Sequence, residues 1–305
     1  MNKKNTFLAA ILALGFSPTF HAEDKAPAAV VKLVSSPALE KLLTAEDWQP
    51  VVTGIGFSDG MSSDPATGNV YFSDMKASAI FVVTPELEKK KLSDAKVSGT
   101  RASGDYKTLY GIGNKKIVAV ALPDGVVSDV ADVPGTNDLA VTKDGMIYFT
   151  GVKGQVTLLN AKTKEVKPVD TGHLKNPNGI GMSPDQKTLY VSDYGGTSVW
   201  SFSVQADGSL KDPKEFCKLQ PPADKPDVSG GDGMAIDADG RLYVTSKMGL
   251  KVISPTGELL GVLAKPKPQL VSATFGGKNM EYLYIGCGDT IYRRKMMVKG
   301  VNYAK

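Results

Sequence analysis

The sequence predicts an all-β chain closed into a six-bladed β-propeller. Two observations carry this. A strand motif built on Tyr occurs six times, as NVYFSD at Tyr71, TLYGIG at Tyr110, MIYFTG at Tyr148, TLYVSD at Tyr190, RLYVTS at Tyr243 and YLYIGC at Tyr284. The successive spacings are 39, 38, 42, 53 and 41 residues, a period that marks propeller blades. Each copy also sits in the same surroundings, with a turn such as Asp144-Gly145, Pro184-Asp185 or Asp239-Gly240 before the Tyr strand and a second strand after it. Those second strands read AIFVVT, KIVAVA, QVTLLN, SVWSFS, KVISPT and TIYRRK. A β-sandwich or an open array of sheets would leave six near-equal units unexplained.

Taken in order, the chain opens with Lys3 and Lys4 before an apolar run at 7–16, and Ala22 ends a processing site in which Phe20 stands where a small residue is usual. That pattern predicts a signal peptide over 1–22 and a periplasmic or secreted product. The run is too short to span a bilayer. Residues 23–38, rich in Ala, Pro and Lys, read as a loosely ordered leader, and one helical turn is expected at 39–43. A single propeller domain is expected over 39–305. Its clearest unit, GGDGMAIDADGRLYVTSKMGLKVISPTGELLG at 230–261, alternates short apolar strands with DG and TG turns. The one long spacing, between Tyr190 and Tyr243, holds an extra segment at 218–231 with three prolines, which is expected in a loop on one rim.

Charge excludes several function classes. There are 36 Lys and Arg against 32 Asp and Glu, and two of the lysines leave with the signal peptide. Near-balance gives no reason to expect nucleic acid or an anionic membrane as partner. Cys217 and Cys287 fall on non-adjacent units, so two unpaired buried thiols are expected. Only His21 and His173 are present, and His21 lies in the signal peptide. A His-His dyad is therefore excluded, and without a GxSxG elbow no Ser-His-Asp triad is signalled. A structural place is expected for His173.

Counting back eleven or twelve residues from each repeat Tyr reaches the turn before the innermost strand of its blade. The residues there are Asp59, Ser98 or Gly99, Asn137, Asn178, Asp232 and Ser272. In a propeller these starts surround the central channel on one face, so their side chains converge. Asp or Asn before Gly is ordinarily a turn residue. Four Asp or Asn residues at equivalent places of one repeat, three before Gly and Asn137 before Asp138, point instead to a hard-oxygen cation site made by Asp59, Asn137, Asn178 and Asp232, a set suited to Ca²⁺ or Mg²⁺.

The segments TNDLAVTKDGMIYFTG, PNGIGMSPDQKTLYVSD, GGDGMAIDADGRLYVTS and TFGGKNMEYLYIGCGDTIYRRKMMVKGV resemble the gluconolactonase / senescence-marker-protein (regucalcin-like) family of six-bladed propeller lactonases. The resemblance runs over roughly residues 57–301. It implies a monomeric lactone hydrolase with one divalent cation on the axis, Ca²⁺ first and Zn²⁺, Mg²⁺ or Mn²⁺ as alternatives. It implies a lactone or other sugar-derived substrate, Asp59, Asn178 and Asp232 as ligands with Asn137 nearby, and Asp232 as general base. Two positions depart from the family pattern. Asp59 stands where the family has Glu, and Gly135 stands where sugar-lactone hydrolases have Arg. The loop after Thr150 is short, which implies an open pocket. A non-catalytic exported propeller with a structural axial cation and a sugar or protein partner is the alternative, and a strictosidine-synthase-like condensing enzyme shares the fold.

Overall fold

A strand buried on both faces needs neighbours above and below it, and the middle strands of this chain are of that kind. The computed structural model describes residues 35–304 apart from Pro134, Val152 and Lys153. The expected signal peptide at 1–22 and all but the end of the expected leader at 23–38 lie outside the described residues. The chain begins with one helical turn, α1 (Pro37–Glu40), and strand β1 (Gln49–Val52). The turn starts two residues earlier than the sequence indicates, inside the stretch expected to be loose. Ser36 caps it, accepting a hydrogen bond from the Leu39 N–H, and Pro37 takes the first helical position, where its missing N–H costs nothing.

Five blades follow in chain order. They are β2 (Ser58–Ser63), β3 (Val70–Asp74), β4 (Ala79–Val83) and β5 (Lys89–Ser93); β6 (Ser98–Ala102), β7 (Thr108–Gly113), β8 (Lys116–Ala121) and β9 (Val127–Asp132); β10 (Thr136–Val141), β11 (Met146–Gly151), β12 (Gln155–Asn160) and β13 (Val166–Asp170); β14 (Pro177–Met182), β15 (Thr188–Asp193), β16 (Ser198–Val204) and β17 (Leu210–Lys218); and β18 (Met234–Ile236), β19 (Leu242–Ser246), β20 (Gly249–Ile253) and β21 (Leu259–Leu263). The sixth consists of β22 (Leu270–Gly276), β23 (Tyr282–Cys287) and β24 (Thr290–Lys295), with β1 as its outermost strand. All pairings are antiparallel, and the seam puts Gln49 opposite Arg293 and Val52 opposite Ile291. The innermost strands pack in a closed circle, each on the next and β22 on β2.

Burial is greatest in the middle strands of the blades and least in the outermost. β3, β19 and β20 are buried at every position. The outer strands β5, β9 and β13 are mostly exposed and carry Lys and Asp, which blunts their free edges against further pairing. One apolar cluster fills each gap between neighbouring blades, and the repeat Tyr projects into it. Tyr148 packs with Ile180, Met182 and Leu189 of the following blade. Tyr190 packs with Met234 and Leu242, Tyr243 with Phe275 and Leu283, and Tyr284 with Met61, Val70 and Phe72 of the first blade. Tyr71 and the half-buried Tyr110 fill the two remaining gaps. The recurring Tyr therefore fastens each blade to its successor.

Cys217 and Cys287 are both free and buried, and burial pushes their thiols up to about 12 and about 11. Among the described residues no helix is long and apolar enough to cross a membrane.

Because Tyr284 is 1 % exposed and closes the gap between the last and first blades, Tyr284→Ala should cost about 3–5 kcal/mol. Val127→Ala, on an outer strand and 43 % exposed, should stay within about 0.5 kcal/mol. Urea denaturation of the two variants compares them directly, and equal midpoints would contradict the role given to the Tyr.

Candidate functional site at the propeller axis

Every innermost strand but the short β18 enters the axis through a register break. In β2 it falls between Asp59 and Met61, in β6 between Ser98 and Arg101, in β10 between Thr136 and Leu139, in β14 between Pro177 and Ile180, and in β22 between Leu270 and Ser272. A bulge of this kind re-aims a side chain that regular pairing would point elsewhere. Asp59, Asn137 and Asn178 sit in these bulges, within the strands, whereas the sequence had suggested turns before them. Only Asp232 lies ahead of its strand. In β2 and β6 a glycine at positive φ, Gly60 and Gly99, makes the bend possible. Gly60 has φ +54, and a Cβ there would come within 2.4 Å of the Thr100 nitrogen.

Three bulges and the segment ahead of β18 bring all four residues picked out from the repeat, Asp59, Asn137, Asn178 and Asp232, to the wall of one narrow axial cavity of about 10 Å³. That is room for one ion or water. Asn178 is buried, Asp59 and Asp232 are half-buried, and Asn137 is exposed at the mouth. The equivalent residue of β22, Ser272, also lines it, while β6 contributes Arg101. His173 is elsewhere. It pairs with Asp170 at 2.5 Å and lies 5.5 Å from Trp200, ring to ring.

The two carboxylates repel each other in a place poor in water. Burial, and then the charge of Asp138, raise Asp59 from the ordinary 3.8 to about 6, against the opposing pull of the Gly60 N–H and Arg101. Burial lifts Asp232 well above its usual range, and Asp59 and Asp138 add to the shift. Each gives one oxygen, Oδ1, to the N–H of the next residue, Gly60 at 2.7 Å and Gly233 at 3.0 Å. In the same cavity wall the Asn178 carboxamide oxygen is buried with no hydrogen-bond partner. An orphaned buried acceptor is costly. Beside two mutually repelling carboxylates, it describes a site whose charge and donors fit a divalent cation with oxygen ligands. Among the described residues no three His, Cys, Asp or Glu side chains gather as a metal group, so the amides must complete any shell.

Sequence reasoning missed Arg101, Asp138 and a set of hydroxyls. The Arg101 guanidinium donates to the Met61 carbonyl at 2.7 Å and reaches Asp138 at 3.3 Å. It lines both the axial cavity and a second enclosure of about 100 Å³ on its other side, walled by Met182, Met234, Phe275 and Tyr303. The hydroxyls come two residues after the repeat Tyr. Thr150 donates to the Asn178 carbonyl at 2.6 Å, Ser192 to that of Asp232 at 2.9 Å, and Thr245 to that of Val271 at 3.3 Å. Each crosses to the next blade and holds a cavity-lining residue by its backbone. Their signal was present in the repeat, since four of the six copies have Ser or Thr there.

Residues 57–288 match the family described as the SMP-30/gluconolactonase/LRE-like region. The chain belongs to this family. A gluconolactonase of Zymomonas mobilis is 28% identical over 176 residues, which cover 52% of this chain and 49% of that protein. Human regucalcin is 33% identical over 114 residues, 36% of each chain. The matched stretches thus span half or less of these two relatives' own length. A solved gluconolactonase structure from Xanthomonas campestris superposes with a TM-score of 0.76 at 22% identity, over 87% of this chain and 94% of that one. The shared fold is the six-bladed ring described above. Within this SMP-30/gluconolactonase member the axial donors lie on blades one, three, four and five.

A carboxylate raised in the folded state binds its proton more tightly there than in the unfolded chain. The cation-free protein should therefore keep its stability below about pH 4 and lose it as pH rises through about 6. Asp59→Asn removes one buried charge, so in chelator at pH 8 it should be more stable than the parent by about 1–2 kcal/mol, with no gain near pH 3.5. Denaturation at the two pH values checks this, and a variant destabilised at both would contradict it.

Proposed function

We propose that this chain is a metal-dependent hydrolase of a lactone or related cyclic ester, with Asp232 as general base. The observation that carries the reading is the orphaned Asn178 oxygen sharing one cavity with two carboxylates of raised proton affinity, in a member of the SMP-30/gluconolactonase family. Asp59, Asn137, Asn178 and Asp232 would hold the ion, and a donor set made only of oxygens favours Ca²⁺. What such an ion supplies when bound is Lewis acidity toward an ester carbonyl.

The remaining roles belong to the chain itself. Asp232 accepts a proton from the attacking water, and its raised proton affinity suits a base working near neutral pH. The Gly233 N–H on its Oδ1 leaves the second oxygen for that transfer. Ser192, held to the Asp232 carbonyl, fixes the carboxylate's backbone, and Thr150 does the same for Asn178. Arg101, neutralised by Asp138, stands beneath the cavity. The larger open cavity that shares Asp232, about 310 Å³, gives the substrate its approach. A non-catalytic propeller with a structural ion would keep the same donors and turn nothing over. The presence of a base with no structural partner beyond one N–H favours the enzyme.

On a panel of lactones, Asp232→Asn should lose about 10²–10⁴-fold in kcat while unfolding at or above the parent's temperature. Chelator should abolish turnover, and added Ca²⁺ should restore it. Activity that ignores chelator, or survives in Asp232→Asn, would reject the mechanism.

We also propose that the protein is exported, on the charged and apolar pattern of its first 22 residues. Expressed from its full reading frame in a bacterial host, it should be recovered from the periplasm or medium beginning at Glu23, as intact mass would show. Recovery from the cytoplasm with Met1 in place would contradict this.

A further inference from the structure

The open cavity of about 310 Å³ meets the axial one at Asp232 and Val271. Its size is at the small end of ligand pockets, enough for one ring and a substituent. Phe57 and Tyr194 give it aromatic faces, and Lys247 and Lys265 line it as well. Both lysines are half-buried, and among the described residues neither has a carboxylate within ion-pair distance. The other lysines and arginines on this surface that face carboxylates, such as Lys267 on Asp289, do pair.

The two ammonium groups are held in place. Lys265 donates to the Lys247 carbonyl at 2.7 Å, which ties one lysine to the backbone of the other. Lys247 passes over Gly230, where a Cβ would stand 2.7 Å from its Cγ and where φ is +63. Only glycine leaves room for that stem. Its ammonium lies 5.6 Å from the Tyr194 ring centroid. Gly230 is the last residue but one of the inserted segment at 218–231, and its N–H donates to the Tyr194 carbonyl. The insertion thus supplies the surface on which the Lys247 stem rests. Burial lowers the proton affinity of Lys265, a cost that a bound anion would offset.

Asp232 thus shares the cavity with two ammonium groups that have no carboxylate partner. We propose that Lys247 and Lys265 form an anion-binding subsite, so that the substrate carries a carboxylate or phosphate in addition to the ester presented to Asp232. Lysines bind either group as point charges. This rests on the hydrolase reading above, and the test separates the two.

Glucono-, glucaro- and 6-phosphoglucono-lactone supply a neutral ring and rings bearing a carboxylate or a phosphate. The charged lactones should show KM values at least about tenfold below the neutral one, and the lower of the two identifies the group. Lys247→Met and Lys265→Met keep the aliphatic stems. Each should raise KM for charged lactones about five- to tenfold with kcat unchanged and leave the neutral lactone within about twofold, and Lys265→Arg should restore the parent value. Equal KM for charged and neutral rings, or an equal effect of Lys265→Met on both, overturns the subsite. If no lactone is hydrolysed the hydrolase reading fails, and calorimetry decides the subsite separately. Glucarate binding tighter than gluconate, and losing that advantage in Lys265→Met, upholds it, and equal binding overturns it.

Discussion

The structure depends on the contact between one blade and the next. A four-stranded sheet buries too little by itself, and the sequence solves this by repeating one residue. The Tyr of each copy fills the gap toward its successor, from Tyr71 in the first gap to Tyr284 in the last. Because every gap is filled in the same way, the innermost strands come to the axis at the same height, and whatever precedes the apolar part of each strand is delivered to one point. The cavity is thus a by-product of ring closure, and its chemistry is decided by the few bulged residues that face it.

Those residues are arranged against their own electrostatic preference. Burial raises the proton affinity of both Asp59 and Asp232, the charge of Asp138 adds to each, and that of Asp59 adds to Asp232, while the Asn178 oxygen has nothing to accept. The scaffold tolerates this because the backbone is fixed from outside. Thr150 and Ser192 grip the carbonyls of Asn178 and Asp232 from the preceding blade, and a Cβ at Gly179 would lie 2.0 Å from the Asp232 carbonyl oxygen. Strain of this kind at a cavity wall is the usual mark of a place kept for binding. Where all donors are oxygen and the local charge is negative, a hard cation is the natural complement.

Much of this could be read in the sequence. The period gave six units, and the position ahead of each Tyr gave Asp59, Asn137, Asn178 and Asp232, because a repeat turns equivalent positions into neighbours. Less legible was anything that breaks the repeat. Arg101 and Asp138 have no counterparts in other copies, so alignment of the units was blind to them, and only their ion pair reveals their place. The fourth strand of each blade was overlooked because β5, β9 and β13 are charged and exposed and lack alternation. The bulges read as turns in the sequence because DG and NG are turn signals in isolation. Here Gly60 supplies the positive φ that a bulge needs just as a turn would. The helical turn at Pro37–Glu40 was misplaced because its cap, Ser36, lies in a segment whose composition suggested no structure.

The pairing of β1 with β24 joins residues some 240 positions apart. The first strand of the domain to leave a channel or ribosome must therefore wait for the last. Until β24 arrives, the sixth blade lacks its outer strand and Tyr284 has no first blade to enter. Ring closure therefore waits for the C-terminal strands, in whatever order the other blades form.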